Sequence, residues 1–427
     1  MRGRTYIHKN QSVARVTRCD VLILFTWLFP LKFFKVESYL NRVLFASFVP
    51  VPTMSSSSKT RVAVLHQAIE PPVIDGSRKP MKPGGYRDSS ADIAFALSHL
   101  QYYGISAITP VPSPDAASDK DWSFPDTEQG ILDAIGKGAT HIWANTILFS
   151  SHPLQVSSSL ATHETSLRVI SQPPRMVEAV DDKYLCNLRL RERGVVIAES
   201  FLYSSAETEE QQGTRVLKPV RGRGSFGVKL CRSASETKNH VDWLRTEGQY
   251  EGAVMSEEFL GGEEITITVL PSSPSSASPT AQKYTALPPI VRFNHHDDVA
   301  PYNGTVAVTA NSRIVTPQEM DGDAAYRRAM DECEKIAHMI GATAAARIDL
   351  RRESTSKGAG FKAFDVNAKP NMTGPGRPGR EDQDSLSALA AQGLGWDYQT
   401  LVKEIVGMAK LLGEVREIGR PFEEKAE

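Results

Sequence analysis

Ala346-Arg347-Ile348-Asp349-Leu350 and Ala363-Phe364-Asp365-Val366-Asn367 are the two stretches on which the fold reading turns. Both read as short strands. The segment between them, residues 351–361, carries Ser354, Ser356, Gly358 and Gly360, which predicts a polar hairpin connection. Side chains two apart on a strand share a face. Arg347 with Asp349, and Asp365 with Asn367, can therefore converge on one side of an antiparallel pair. That side offers oxygen ligands suited to Mg²⁺ plus one fixed guanidinium, a set that fits phosphoryl chemistry. The competing reading is a surface hairpin with solvated charges.

Two upstream motifs bear on that choice. Leu217-Lys-Pro-Val-Arg-Gly-Arg-Gly-Ser-Phe-Gly-Val228 takes a strand into a loop with Gly222, Gly224 and Gly227, then back into a strand. Glycines let backbone N–H groups approach phosphate oxygens, and Lys218 adds a point charge. The loop lacks Gly-Lys-Ser/Thr, and no helix follows it, so it is neither a Walker loop nor a dinucleotide loop. On its own such a hairpin is more often merely a turn. In Ser256-Glu-Glu-Phe-Leu-Gly-Gly-Glu-Glu264 a strand delivers Glu257, an apolar pair follows, and two glycines bend the chain before Glu264. Such a linker could clamp an adenine between apolar side chains, its carboxylates accepting from an amino group and a ribose hydroxyl. The bland alternative is an exposed acidic turn.

Outward from these motifs, residues 61–66 read as a buried strand and residues 89–104 as a capped helix, with Ser89 and Asp92 at capping-box spacing. Together with the apolar residues 106–109 they make a βαβ unit. A helix near 128–137 and a strand at 140–148 continue the alternation of an α/β domain. A charged helix is expected over 176–193, and Glu264 to Leu270 alternates with Ile265, Ile267 and Val269 on one face. Ala329, Cys333, Ile336 and Ile340 form an apolar helical stripe, and a helix around 398–412 also reads as packing. Residues 271–279 are Ser/Pro-rich and predict a surface loop.

With 427 residues and 41% hydrophobic content, the chain can build two or three packed units. A formal net charge of -1 argues for neither nucleic acid nor an anionic membrane as partner. The four cysteines show no CxxC pair and read as reduced thiols. The first fifty-odd residues stand apart. Arg2, Arg4, Lys9, Arg15 and Arg18 precede the first acid, Asp20, and Pro30 and Lys32 break the apolar run 21–34. A membrane span wants ~20 apolar residues. Residues 1–58 are therefore expected outside the folded protein, as a presequence or as sequence upstream of a start at Met54.

In this order and at these separations, the three motifs resemble the ATP-grasp superfamily, and within it the D-alanine–D-alanine ligase group. The resemblance covers roughly residues 176–406, more loosely the N-terminal domain from Arg61. It implies an α/β (α+β) ATP-grasp fold: an N-terminal α/β domain at 59–173, a central subdomain at 174–258, a catalytic subdomain at 259–420 and a tail at 421–427. It implies ATP and Mg²⁺, with Mn²⁺ as an alternative ion. Lys183 and Lys218 match the phosphate-binding lysines, and Gly224, Ser225 and Gly227 the loop over the phosphates. Glu257, Phe259, Leu260 and Glu264 match the adenine and ribose contacts, and Asp349, Asp365 and Asn367 the Mg²⁺ ligands. Arg347 and Ser225 take the catalytic places.

Departures gather at the substrate positions. Asp365 stands where the family usually has Glu, and Gly224 replaces the loop's first serine. The family's Pro-Gly-Met turn is replaced by Lys369-Pro-Asn-Met-Thr-Gly-Pro-Gly-Arg-Pro-Gly-Arg380, where Arg377 or Arg380 could grip a carboxylate, or simply be solvated. Arg292, His296 and Tyr302 are available in place of the family's lysine–tyrosine pair. Asp88 and Ser89, at a helix start, could hold an amino acid, with simple N-capping as the rival reading. The resemblance implies a ligase joining a small carboxylate to an amine through an acyl phosphate. It implies neither nucleic-acid nor membrane partners, admits a homodimer, and points to the cytoplasm, or to mitochondria if residues 1–53 act as a presequence. The alternatives are a decayed ligase acting as regulator or scaffold, and a small-molecule phosphotransferase.

Overall fold

A computed structural model describes residues 60–204, 213–272, 283–295, 308–356 and 358–423. The extension at 1–58, His296, Tyr302 and most of the Ser/Pro-rich stretch lie outside the described residues. All described residues belong to one unit, Ser58–Glu427.

The expected alternation builds the first sheet. Thr60–His66 lies parallel to Ile105–Ile108 on one side and to His141–Asn145 on the other, and Arg168–Ile170 extends the sheet. The short Lys410–Leu411 strand closes the far edge antiparallel to Arg168–Ile170, so the C-terminal end of the chain completes the N-terminal sheet. Val62 and Val64 face a core with Ile93, Leu97, Leu401 and Ile405, all buried, while Ala63 and Leu65 face a second core with Ile131 and Leu154. Burial on both faces explains the uninterrupted β-branched and apolar run.

Two further sheets follow. Lys229–Cys231, Arg215–Pro219, Val254–Glu258 and Ser200–Leu202 pair in that order, all antiparallel. Ser312–Ile314, Ile290–Arg292, Glu264–Pro271, Ala346–Arg352 and Phe361–Asn367 form the third, with Tyr284–Ala286 also on Glu264–Pro271. The strand pair that opened the sequence reading is an antiparallel hairpin with Arg347 opposite Asn367 and Asp349 opposite Asp365, bulged after Asp349. Its strands run one to two residues further into the connection than the serines and glycines suggested, to Arg352 and from Phe361.

Three expectations are corrected here. Glu264–Pro271 is buried along almost its whole length rather than on one face, because helix Ala325–Met339 covers one side and Leu386–Gln392 packs near the other. The charged helix at 176–193 is two helices, Pro174–Val180 and Lys183–Glu192. They break where Asp182 turns its carboxylate onto the Leu185 N–H at 2.8 Å as an N-cap. The helix expected from Ser89 starts at Arg87, so Ser89 and Asp92 are not a cap but buried side chains inside it. The stripe Ala329, Cys333, Ile336 and Ile340 is core, as its spacing required.

Candidate active site

One cleft gathers most of the residues named from the sequence. Lys183, Lys218, Gly224, Ser225, Glu257, Phe259, Leu260, Glu264, Arg347, Asp349, Asp365 and Asn367 all line it.

The hairpin supplies its polar wall. Arg347 Nε and Nη2 donate to the two oxygens of Asp349 at 3.1 and 3.0 Å, a bidentate grip allowed by their shared strand face. Thr266 Oγ1 donates to Asp349 at 2.5 Å from the neighbouring strand. Asn367 Nδ2 reaches Asp349 at 3.0 Å and Asp365 at 3.4 Å. Burial raises the Asp349 carboxyl pKa above its ordinary value, with Asp365 adding to it and Arg347 opposing. Burial also pushes Asp365 up, but the cations Lys183, Lys218, Arg347 and Lys79 outweigh it and hold that carboxyl low.

The lysines come from two elements. Lys183 opens its helix directly after the Asp182 cap and lies 3.5 Å from Asp365. Lys218, at the end of its strand, donates to Glu257 at 2.9 Å and to the Phe364 carbonyl at 3.0 Å. Glu257 sits on the antiparallel neighbour, and burial pushes its carboxyl up to about 7 against the pull of Lys218. The glycine-rich turn joins Arg215–Pro219 to Lys229–Cys231 as a hairpin. Gly224, Ser225 and Gly227 have φ of 57°, 58° and 69°, the left-handed region. At Gly227 a Cβ would meet Leu244 Cδ2 at 2.7 Å and Pro219 Cγ at 2.9 Å, so only glycine fits. In the linker, the Arg351 guanidinium lies 5.1 Å from the Phe259 ring centroid, and His295 lies 2.9 Å from Glu264.

Mg²⁺ is the ion that the sequence resemblance implies for this donor set. Among the described residues, no three His, Cys, Asp or Glu side chains cluster as a metal cage. Mg²⁺ seldom uses one; it takes one or two carboxylates together with phosphates and water. Asp349, Asp365 and Asn367 are such a set, and buried Asp365 Oδ1 makes no hydrogen bond, with Lys183 Nζ 3.5 Å away as its ion-pair partner. The residues fit Mg²⁺.

Five residues named as substrate contacts lie elsewhere. Asp88 pairs with Lys82 at 2.6 Å, and Ser89 is fully buried, bonded to the Tyr86 carbonyl and to Asn145. Arg377 is fully buried: its Nε donates to Asp92 at 2.8 Å and its Nη1 to the Ser118 carbonyl at 2.7 Å, and it pairs with Asp119. Arg380 grips both oxygens of Asp92 at 2.9 Å. Arg292 is buried in its strand, opposite Glu264 in register. None of the five lines the cleft.

Four other cleft residues were not singled out. Lys79 pairs with Asp181. Lys369 and Arg223 both approach Tyr86: Lys369 Nζ lies 3.3 Å from its ring centroid, and the Arg223 guanidinium 5.4 Å from it. Lys369 follows Asp365 and Asn367 at the same two-residue spacing, a signal that was legible in the sequence.

The sheet architecture around this cleft is an ATP-grasp fold. Residues 200–407 match the family model described as D-ala D-ala ligase C-terminus. A D-alanine–D-alanine ligase of Sphingopyxis alaskensis is 31% identical over 194 residues, 45% of this chain and 54% of the relative. One from Fervidobacterium nodosum is 29% identical over 209 residues, 45% of this chain and 60% of the relative. The matched segments thus span little more than half the length of these curated relatives. A solved D-alanine–D-alanine ligase from Bacillus anthracis complexed with ATP superposes with TM-score 0.52 at 15% identity, over 84% of this chain and 98% of that one. A D-Ala:D-Ser ligase from Enterococcus faecalis gives 0.54 at 12% identity, over 82% and 99%. The chain is D-alanine–D-alanine ligase-like in its C-terminal segment by sequence and in its fold by structure. Among the described residues, no helix is long and apolar enough to cross a membrane.

Proposed function

We propose that this protein is an ATP- and Mg²⁺-dependent carboxylate–amine ligase that forms a peptide-like bond between two small substrates. One observation supports this above the others: Lys183, Lys218 and Arg347 converge with Asp349, Asp365 and Asn367 beside a glycine-rich hairpin in a single cleft.

The chemistry follows from these residues. A carboxylate is a poor electrophile, so it is first phosphorylated to an acyl phosphate. Lys183 and Lys218 offset the negative charge of the transferring group, and Ser225 with its neighbouring glycines covers it. Asp365 and Glu257 hold these lysines in position, so a nucleotide meets cations that are already in place. Glu257 accepts from the adenine amino group, Phe259 and Leu260 line its ring slot, and Glu264 meets the ribose. Asp349, Asp365 and Asn367 would hold Mg²⁺, which would supply charge neutralisation for the phosphates. An amine then attacks the acyl carbon and loses a proton, and the tetrahedral intermediate collapses by breaking the acyl C–O bond and expelling inorganic phosphate. Arg347, oriented by its two bonds to Asp349, stabilises the oxyanion that develops. The glycine hairpin excludes water, which would otherwise hydrolyse the intermediate.

Hydroxylamine intercepts acyl phosphates as hydroxamates, and this provides the test. Purified protein with Mg·ATP, hydroxylamine and a panel of small carboxylic acids should yield hydroxamate with at least one acid, and Arg347→Met should abolish it. ATP binding with no hydroxamate from any acid would overturn the proposal.

A further inference from the structure

Charge is satisfied over most of the cleft. Lys79 meets Asp181, Lys183 meets Asp365 at 3.5 Å, Lys218 meets Glu257 at 2.9 Å, and Arg347 meets Asp349 at 3.0 Å. Around Tyr86 it is not. Three basic groups approach this ring: Lys369 Nζ at 3.3 Å from the centroid, Lys82 Nζ at 5.4 Å and the Arg223 guanidinium at 5.4 Å. Lys82 is neutralised by Asp88 at 2.6 Å. Among the described residues, Lys369 and Arg223 have neither a carboxylate partner nor a side-chain hydrogen bond, and Lys369 Nζ is sealed from solvent.

A buried cation without a counter-charge is costly, and an aromatic face recovers only part of that cost. The backbone adds a second sign. Tyr86 itself has φ 64°, a left-handed conformation that a bulky residue rarely adopts, and it holds this conformation at the start of the Arg87–Leu97 helix. Strain of this kind concentrates at ligand clamps. A bound anion would complete the arrangement by giving Lys369 and Arg223 the partner they lack. Two sources could bring one: a nucleotide phosphate or a substrate carboxylate. Lys183 and Lys218 already serve the phosphates in the proposed reading. Lys369 instead extends the Asp365–Asn367 strip beyond the metal ligands, to a ring it shares with the N-terminal Lys82.

We propose that Lys369 and Arg223, braced on Tyr86, hold a second anionic group of the acid substrate, so that this substrate is a small diacid rather than a monocarboxylic acid. Assigning that group to the acid which is phosphorylated rests on the ligase reading above; the anion subsite does not.

The test measures binding, so it does not need turnover. Succinate and L- and D-glutamate are titrated calorimetrically into the full chain with Mg·ADP, against butyrate and L- and D-norvaline. At least one diacid should bind roughly tenfold to a hundredfold tighter than its monoacid counterpart, the range of one or two charge-assisted hydrogen bonds. Lys369→Met should erase that preference and Lys369→Arg should keep most of it, with Mg·ATP affinity equal in all three proteins. Should Lys369→Met fail to fold, Arg223→Met must show the same loss of preference. Equal affinity for diacids and monoacids, or a preference that survives both substitutions, overturns the inference. So does a loss of Mg·ATP affinity in place of diacid affinity, because the cations would then serve the nucleotide. ADP release is read in parallel: diacid binding that depends on Lys369, with no ADP release on any acid–amine pair, would defeat the ligase reading and leave the subsite standing.

Discussion

Residues 221–227 and 374–380 are nearly the same loop by composition, each with glycines and two arginines, yet the fold uses them in opposite ways. In the first, Arg221 is anchored to the Glu178 carbonyl at 2.9 Å and Asp182 at 3.4 Å, whereas Arg223 stays in the cleft beside the Tyr86 ring, with no carboxylate partner among the described residues. In the second, both arginines close on Asp92, and Arg377 is fully buried. Gly374 packs so tightly that a Cβ would lie 2.2 Å from the Tyr398 ring. One loop lines the cleft, and the other bolts the segment after Asn367 to the Arg87–Leu97 helix. Glycine and arginine content does not separate a ligand loop from a structural bolt. The location of the partner acid does.

The largest effect should come from breaking the bolt. Arg377→Met leaves Asp92 buried with one of its two cations gone and should lower stability by about 3–5 kcal/mol in chemical denaturation. The nucleotide affinity of the folded fraction should be unchanged. Weakened nucleotide binding at unchanged stability would erase the distinction between the loops.

Lys218→Met tests the other side. It removes a cation from the phosphoryl-transfer end and should cut the rate of ADP formation by about 10²–10³. Fold stability should change far less than in the Arg377 variant, because Glu257, already raised to about 7, can take up a proton when its partner is lost. A stability loss matching that of Arg377→Met would contradict this reading.

Gly227→Ala comes next. Its left-handed φ of 69° costs a side chain about 1–2 kcal/mol, and Leu244 and Pro219 must also shift. The expected result is a raised KM for ATP with a smaller change in KM for the acid. Equal changes in both would mean that the loop does not belong to the nucleotide side.

The smallest effect concerns pH. The folded-state pKa of Glu257, about 7, lies above its ordinary 4.5, so the folded protein holds this proton more tightly than the unfolded chain does. The group's contribution to stability is therefore present at low pH and lost as pH rises through about 7. Thermal melts of Glu257→Gln from pH 5 to 8 should show a flatter slope than those of the unmodified protein. A steeper slope would reverse the assigned sign.

The convergence of the motif residues on one cleft was legible because each motif is local. Strand periodicity put Arg347 with Asp349 and Asp365 with Asn367, glycines marked the turn, and Glu257 to Glu264 fall within one linker. The partners of Arg377, Arg380 and Ser89 were not legible, because most of them are long-range. Asp92 lies 285 residues from Arg377 and cannot be paired with it from local pattern. Asp88 and Ser89 read as a helix start open to a ligand, but Lys82 and Asn145 occupy them. The break at Asp182 was missed because a charged helix and two capped ones share the same composition. Lys369 was within reach of the two-residue spacing, but Pro370 ended the strand pattern before that spacing was followed through.

The central claim is that one cleft couples ATP consumption to bond formation between an acid and an amine. ADP release by the full chain, measured with each acid alone, each amine alone and both together, tests it most directly. The account predicts sustained ADP release only with an acid–amine pair, matched one-to-one by condensed product and lost in Asp349→Ala. Undiminished ADP release with the acid alone, yielding a stable phosphorylated acid, would instead make the protein a phosphotransferase and contradict the account.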